Sequence, residues 1–290
     1  MTTITAKSIL ASRHAVTGTV LHTILARYPL VIHAELMTHR VFSRNAASAR
    51  AIPVAKLIAD VEADPFVPLV WTKNERGMQG RDVLDKSEEM TARDWWSIAY
   101  EDAIVNAQYL AKTGAHKQIV NRLLAPFAHI TVVISSTEWD GFLAQRDHAD
   151  AEPHMQMLAK EIRNALDWAD VQTLQPSEWH LPFVTEKDCS EHTDIGVVLQ
   201  LEAMKVLSVA RCASTSYKTV DGFDMTLDRA QEIYDKLLNA DPIHASPFEH
   251  VARADEAVEC APCGYYYGNQ DQHRNFTGFC QLRAMIEDER

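Results

Sequence analysis

Thr38-His39-Arg40-Val41-Phe42-Ser43-Arg44-Asn45-Ala46-Ala47-Ser48-Ala49-Arg50 is the stretch on which the reading of this chain turns. It sets His39, Arg40, Arg44 and Arg50 beside Ser43, Asn45 and Ser48 and contains no Asp or Glu. The surrounding segment 34–51 is rich in Ala and lacks Gly and Pro, which predicts helix over much of it. On a helix Arg40, Arg44 and Ser48 lie four apart and share a face. Arg gives bidentate charged hydrogen bonds and Ser gives a hydroxyl, so such a face suits a phosphate. The alternative is a solvated basic face balanced by acids elsewhere. The missing acidic partners at helical spacing favour the ligand.

Upstream, residues 20–33 (VLHTILARYPLVIH) are rich in aliphatic and β-branched residues and predict one or two strands, interrupted near Pro29. Downstream, Pro53 marks a boundary before a helix over 54–63, and 64–90 reads as a long polar loop. Helices are expected over 92–112 and 117–124, the latter resuming beyond Pro126, with 132–134 either helical or a short strand. Ser135-Ser136-Thr137-Glu138 has the form of a capping box opening a helix with Trp139, Phe142 and Leu143. An amphipathic helix is expected over 153–169, a loop over 171–194, and helices over 195–209 and 226–239 around a stretch with room for a strand. Without repeats or a linker, the economical reading is one mixed α/β (α+β) domain spanning 1–290.

The 290 residues are 47% hydrophobic, enough for a substantial core. A net charge of −12 disfavours a broad grip on nucleic acid, including a helix-turn-helix reading, but leaves room for a small anionic ligand. No run approaches the roughly 20 apolar residues of a membrane span, and the N-terminus lacks the apolar run of a signal peptide. Five cysteines in no disulfide-like pattern agree with a reducing, cytoplasmic setting. Cys260-Ala-Pro-Cys263 is a lone pair with His273 downstream and no second pair, so no metal is expected.

The Thr38–Arg50 window resembles the signature of flavin-dependent thymidylate synthases (ThyX), Arg-His-Arg, seven residues, then Ser. Here it reads Thr38-His39-Arg40, seven residues, then Ser48, with Ser43, Asn45 and Arg50 also matching. The preceding Ala26–Ala34 resembles the strand that enters that motif. Phe142-Leu143-Ala144-Gln145-Arg146 resembles the family's Phe-Leu-x-x-Arg, and His244-Ala245-Ser246-Pro247-Phe248-Glu249-His250 its His-x-Thr-Pro-Phe-Glu-His. Arg211–Tyr217 resembles an Arg-rich strand ending in Ser-Phe. In the family the Pro-Phe-Glu-His block precedes the Arg-His-Arg motif; here it follows by some two hundred residues. The order is that of a circularly permuted, phage-like member. Residues 251–290 have no counterpart.

The resemblance implies a ThyX-like mixed sheet with long helices, FAD as cofactor, and C5 methylation of dUMP to dTMP with methylenetetrahydrofolate and NADPH as co-substrates. It implies flavin contacts from Thr38, His39, Arg40, Asn45, Ser216, His244, Ser246 and Glu249. Glu35, Ser48, Arg50 and Arg146 would bind the nucleotide, with Arg146, His39 and Arg40 acting in catalysis. It also implies a homotetramer with shared sites. Departures are Thr38 for the first Arg, Glu35 for an amide, Ala46 for an acid, and Ser135 and Gly141 for two Asn residues that touch the flavin. Lys117, Gln118 and Arg122 are candidates for a second phosphate cation. The departures keep dCMP open as substrate, with methyl or hydroxymethyl product. A non-catalytic flavin- or nucleotide-binding protein is the other alternative.

Overall fold

The computed structural model describes residues 3–77, 80, 82–193, 196–216, 225–261 and 264–290. Strands β1 (Thr5–His14) and β2 (Val20–Pro29) pair antiparallel across a short turn. His14 Nδ1 accepts the backbone N–H groups of Val16 and Thr17 at 3.2 and 3.3 Å. Gly18 takes φ 74°, a conformation that a side chain resists. The chain then passes through one turn of helix, α1 (His33–Leu36), into strand β3 (Ser43–Ala46).

The expected helix over 34–51 is therefore mostly absent. β3 pairs antiparallel with β4 (His129–Ser136), from Ser43↔Ser135 to Ala46↔Val132, and this ladder outweighs the helix preference of alanine. β4 also replaces the helix expected beyond Pro126 and settles 132–134 as strand. Ser135 and Ser136 end that strand instead of capping a helix. The next helix, α5 (Asp140–Arg146), has Trp139 at its N-cap with no side-chain cap.

The main sheet has the order β3-β4-β2-β1-β5, with β5 (Val171–Leu174) parallel to β1 and the other pairs antiparallel. Side chains alternate between its faces. One face carries Ile24, Ala26, Tyr28, Ile130, Val132 and Ile134, packed against α5 and α6 (Pro153–Asp167). The other carries Ser12, Leu21, Thr23 and Ser135, all buried. It is covered by a small sheet of β6 (Trp179–His180), β7 (Ala252–Ala254) and β10 (Phe279–Gln281) and by the 3-10 turn Ser246–His250. A separate hairpin joins β8 (Ala257–Cys260) to β9 (Gly264–Tyr267).

Helix α2 (Val54–Ala63) falls where expected, and α3 (Lys86–Lys112) starts earlier than expected, behind a capping box at Asp85 and Glu88. With α4 (Lys117–Val120) they enclose a second core, which takes Trp96 and Tyr100. Trp95, 67% exposed, faces away from it. The expected loop over 171–194 contains β5, β6 and α7 (Glu186–Glu191), short elements held by their partners. Helices α8 (Val197–Ala213) and α9 (Leu227–Leu238) share a third core. The C-terminal residues are folded: β7, β10 and α10 (Leu282–Asp288) build on the main body through Ala252, Phe279 and Leu282. No helix of the described residues is long and apolar enough to cross a membrane.

Candidate functional site

Arg146 ends α5 and turns its guanidinium onto the segment after α1. Its Nε donates to His39 Nε2 at 3.0 Å, Nη1 to Glu35 Oε2 at 3.0 Å, and Nη2 to Thr38 Oγ1 at 3.3 Å. Four of the sequence-predicted residues, from stretches more than a hundred positions apart, thus meet in one half-exposed cluster. Because His39 Nε2 accepts, the ring is neutral and carries its proton on Nδ1. Burial, then the Arg146 and Arg44 guanidinium groups, holds the His39 pKa below its ordinary value. The ring meets Phe142 edge-on, centroids 5.0 Å apart. Burial raises the Glu35 carboxyl above the usual range, opposed by Arg146 and reinforced by Glu152. The cluster offers a fixed cation beside a carboxylate whose Oε1 has no donor among the described residues, which suits a polar ring with a donor and an acceptor on one edge.

The register of β3 divides the motif window between two faces. Arg44 and Ala46 pair with Ile134 and Val132 and so point with them to the apolar face. There Arg44 Nη1 donates to the backbone oxygens of Leu36 and His39, each at 3.2 Å, and holds the turn that presents His39. The expected face of Arg40, Arg44 and Ser48 does not exist, since those residues lie in two turns and a strand. Asn45 points to the opposite face. Its Nδ2 donates to the backbone oxygen of Cys212 at 2.7 Å, and its Oδ1 accepts from Ser246 Oγ at 3.0 Å, across 201 residues.

The remaining predicted residues are less closely gathered. Arg40, Ser48 and Arg50 are exposed in turns, and among the described residues no hydrogen bond or ion pair engages their side chains. Lys117 Nζ donates to Ala51 O at 3.0 Å and Asn121 Nδ2 to Ala49 O at 2.7 Å, which pins the turn that carries Arg50. Glu249 pairs with Arg283, and His244 is exposed. Arg211 lies in α8, not in a strand, and makes a bidentate ion pair with Asp188. Ser216 ends a 3-10 turn, but its side chain, like residues 217–224, lies outside the described part.

Sequence reasoning missed a buried polar chain on the Asn45 face. Gln172 Nε2 donates to Ser12 Oγ at 3.0 Å, and Ser12 Oγ bonds His180 Nδ1 at 2.8 Å. His180 Nε2 bonds Thr23 Oγ1 at 2.8 Å, Thr23 bonds Ser135 at 2.6 Å, and Ser135 bonds His250 Nδ1 at 2.8 Å. Burial drives both imidazoles down to about 3. The chain fastens the Ser246–His250 turn to the strand carrying Ser135, and so fixes Ser246 against Asn45. Its members are scattered single Ser, Thr and His residues, which give no sequence signal.

Asp255, His273 and Cys280 bring ligand atoms within 4.8 Å of one another. Asp255 already accepts from the Asn269 backbone and side chain at 2.8 and 2.7 Å and bonds His273 Nε2 at 3.0 Å. His273 Nδ1 accepts from Gly278 N at 3.3 Å. These groups satisfy each other as a cross-link of the C-terminal segment. Cys263 lies outside the described residues.

No protein-family model and no curated protein matches this chain. Among solved structures, several resemble part of this chain. A UMP/dUMP methylase, PolB, from Streptomyces cacaoi bound with 5-Br UMP is 16% identical, with a TM-score of 0.48 over 57% of this chain and 89% of that one. Its complex with 5-Br dUMP gives 17% identity and a TM-score of 0.47 over 57% and 90%. Flavin-dependent thymidylate synthase ThyX from Helicobacter pylori, complexed with FAD and dUMP, is 18% identical, with a TM-score of 0.33 over 50% and 67%. Such distant likeness leaves function to the side chains.

Proposed function

We propose that this chain is a flavin-dependent thymidylate synthase, permuted in its order of blocks, that methylates dUMP at C5 using methylenetetrahydrofolate and NADPH. One observation carries the reading. Sequence blocks that resemble separate parts of one family site meet in space although they are rotated along the chain: Arg146 with His39 and Thr38, and Ser246 with Asn45. Among the described residues Arg40 and Arg50 have no anionic partner and the Ser48 hydroxyl has no hydrogen bond, a donor set that fits a phosphorylated ligand.

In this reading FAD, when bound, supplies the two-electron reduction that turns the transferred one-carbon unit into a methyl group. Arg50 and Ser48 hold the nucleotide phosphate. Arg146 faces the pyrimidine edge and stabilises negative charge developing on the ring, while neutral His39 and Glu35 fix its orientation. Asn45, Ser246 and Glu249 line the flavin side, together with Thr38, His39 and Arg40, and His244 and Ser216 are placed there by resemblance. Sites shared within a homotetramer complete the reading, and light scattering tests that assembly. The test of function is a visible flavin spectrum of the purified protein, followed by dTMP formation from dUMP, methylenetetrahydrofolate and NADPH. A colourless protein that takes up no FAD overturns it.

Glu35 favours a second reading. A carboxylate acceptor 3.0 Å from the Arg146 donor also fits the 4-amino group and N3 of cytosine, which makes dCMP the alternative substrate, with methyl or hydroxymethyl product. Tritium release from 5-labelled dCMP but not from 5-labelled dUMP selects it.

A further inference from the structure

The C-terminal residues without a family counterpart build a cavity of about 240 Å³, lined by Glu249, Arg274, Asn275, Gln281, Arg283 and Glu287. It is tied to the motif window: Asn275 Nδ2 donates to Val41 O at 2.8 Å, and Gln281 Nε2 donates to Ser43 Oγ at 3.3 Å. Glu249 belongs to the same 3-10 turn as Ser246. The pocket therefore adjoins the Asn45 side of the candidate site.

Its chemistry is selective. Arg283 bonds both Glu249 and Glu287, and Arg274 Nη2 reaches Glu287 at 3.2 Å, so two cations face two carboxylates. An oxyanion entering there meets the carboxylates, and a metal ion meets the guanidinium groups. Among the described residues no aromatic ring lines the pocket for stacking. What remains is an alternation of charged donors and acceptors with two amides, which suits hydroxyl groups that donate and accept at once. At roughly 30 Å³ per water, the volume holds about eight waters, the scale of one sugar.

The backbone supports a built site. His273 O accepts from Phe276 N at 3.0 Å, closing a tight turn with Arg274 at φ 55° and ψ −109°. That position of such a turn normally takes glycine, so an arginine there is held under strain. We propose that this pocket is a sugar subsite, in which Arg274, Arg283, Glu249 and Glu287 read vicinal hydroxyls, those of the FAD ribityl chain or of a ribonucleotide's ribose, the deoxyribose of dUMP having no such pair. The inference rests on the flavin and nucleotide reading given above.

The test compares binding of FAD with binding of lumiflavin, which keeps the ring and lacks the hydroxylated chain. Arg274→Gly relieves the strained turn, so its Tm stays level or rises. Glu287→Gln removes a charged acceptor. Both variants are expected to weaken FAD about tenfold, the scale of one charge-assisted hydrogen bond, and to leave lumiflavin unchanged. Unchanged FAD binding, or an equal loss for both ligands, overturns the subsite. A wild-type protein that binds no FAD overturns the flavin reading separately. The subsite then survives only if the two variants weaken UMP about tenfold, and falls if they do not.

Discussion

Arg146 and His180 each stand at the centre of a polar network, and the two networks divide the labour of the sheet. The Arg146 network is charged and half-exposed, and joins the end of α5 to α1 and the turn after it. Glu35, Thr38 and His39 reach it from one short segment, and Glu35 keeps an unused acceptor. The His180 network is neutral and, from Ser12 to His250, buried; its members bridge β1, β2 and β4 of the main sheet to β6 and the Ser246–His250 turn. Burial makes this difference. A dry interior excludes charged imidazole and rewards complete pairing, whereas a wet rim tolerates charge and open valences. One network ties elements of the fold together, and the other is the one we propose meets a ligand.

Acid gives the largest separation between them. In the folded protein His180 and His250 are held at about 3, and His22 and His129 at about 4, all mainly by burial, against an ordinary 6.5. The unfolded chain binds protons at these groups first, so their contribution is present above pH 6.5 and is lost as pH falls from there to about 3. Urea unfolding is expected to show level stability from pH 8 to 7 and a loss of several kcal/mol, in order of magnitude, by pH 4.5. A flat profile between pH 7 and 4.5 removes the buried side of the contrast.

Arg146→Ala comes next. Turnover of dUMP is expected to fall roughly 10²–10³-fold, the usual scale for a lost charge-stabilising donor, with stability changed by less than about 1 kcal/mol. Loss of stability without loss of turnover reverses its assigned role. Thr23→Val does the opposite: it strands His180 Nε2 in a dry interior, leaves Ser135 with His250 alone, and costs about 2 kcal/mol in denaturant unfolding. A shift of the midpoint too small to measure shows that the chain contributes little. The smallest effect is that of Arg50→Ala, expected to leave stability within about 0.5 kcal/mol and to weaken nucleotide binding about tenfold by calorimetry. Unaltered affinity removes Arg50 from the phosphate site.

The sequence exposed whatever was periodic. Residues 54–63 and 153–167 carry clean amphipathic patterns, and both are helices. β4 is apolar on consecutive positions because both of its faces are covered, so periodicity cannot tell it from a buried helix. β3 was illegible for another reason: its four residues, Ser-Arg-Asn-Ala, have no strand preference and become a strand only because β4 lies beside them. Of the candidate site, the motif blocks were readable by resemblance, but not the partners that bind them together. The carbonyl of Cys212 under Asn45, the carboxylate of Glu35 on Arg146, and Arg283 on Glu249 follow from tertiary placement alone.

The alternation within β3 makes the two halves of the site a matter of reading frame. Arg44 steadies the turn that carries His39 on one side, and Asn45 receives Ser246 on the other, from adjacent positions of one edge strand. Adding one residue to the turn before Ser43 and keeping the strand paired exchanges these roles, driving a guanidinium toward the Ser246 side and an amide toward the apolar core. Such a lesion cannot damage one ligand half and spare the other, so this short strand behaves as a coupling pin whose slip undoes both together.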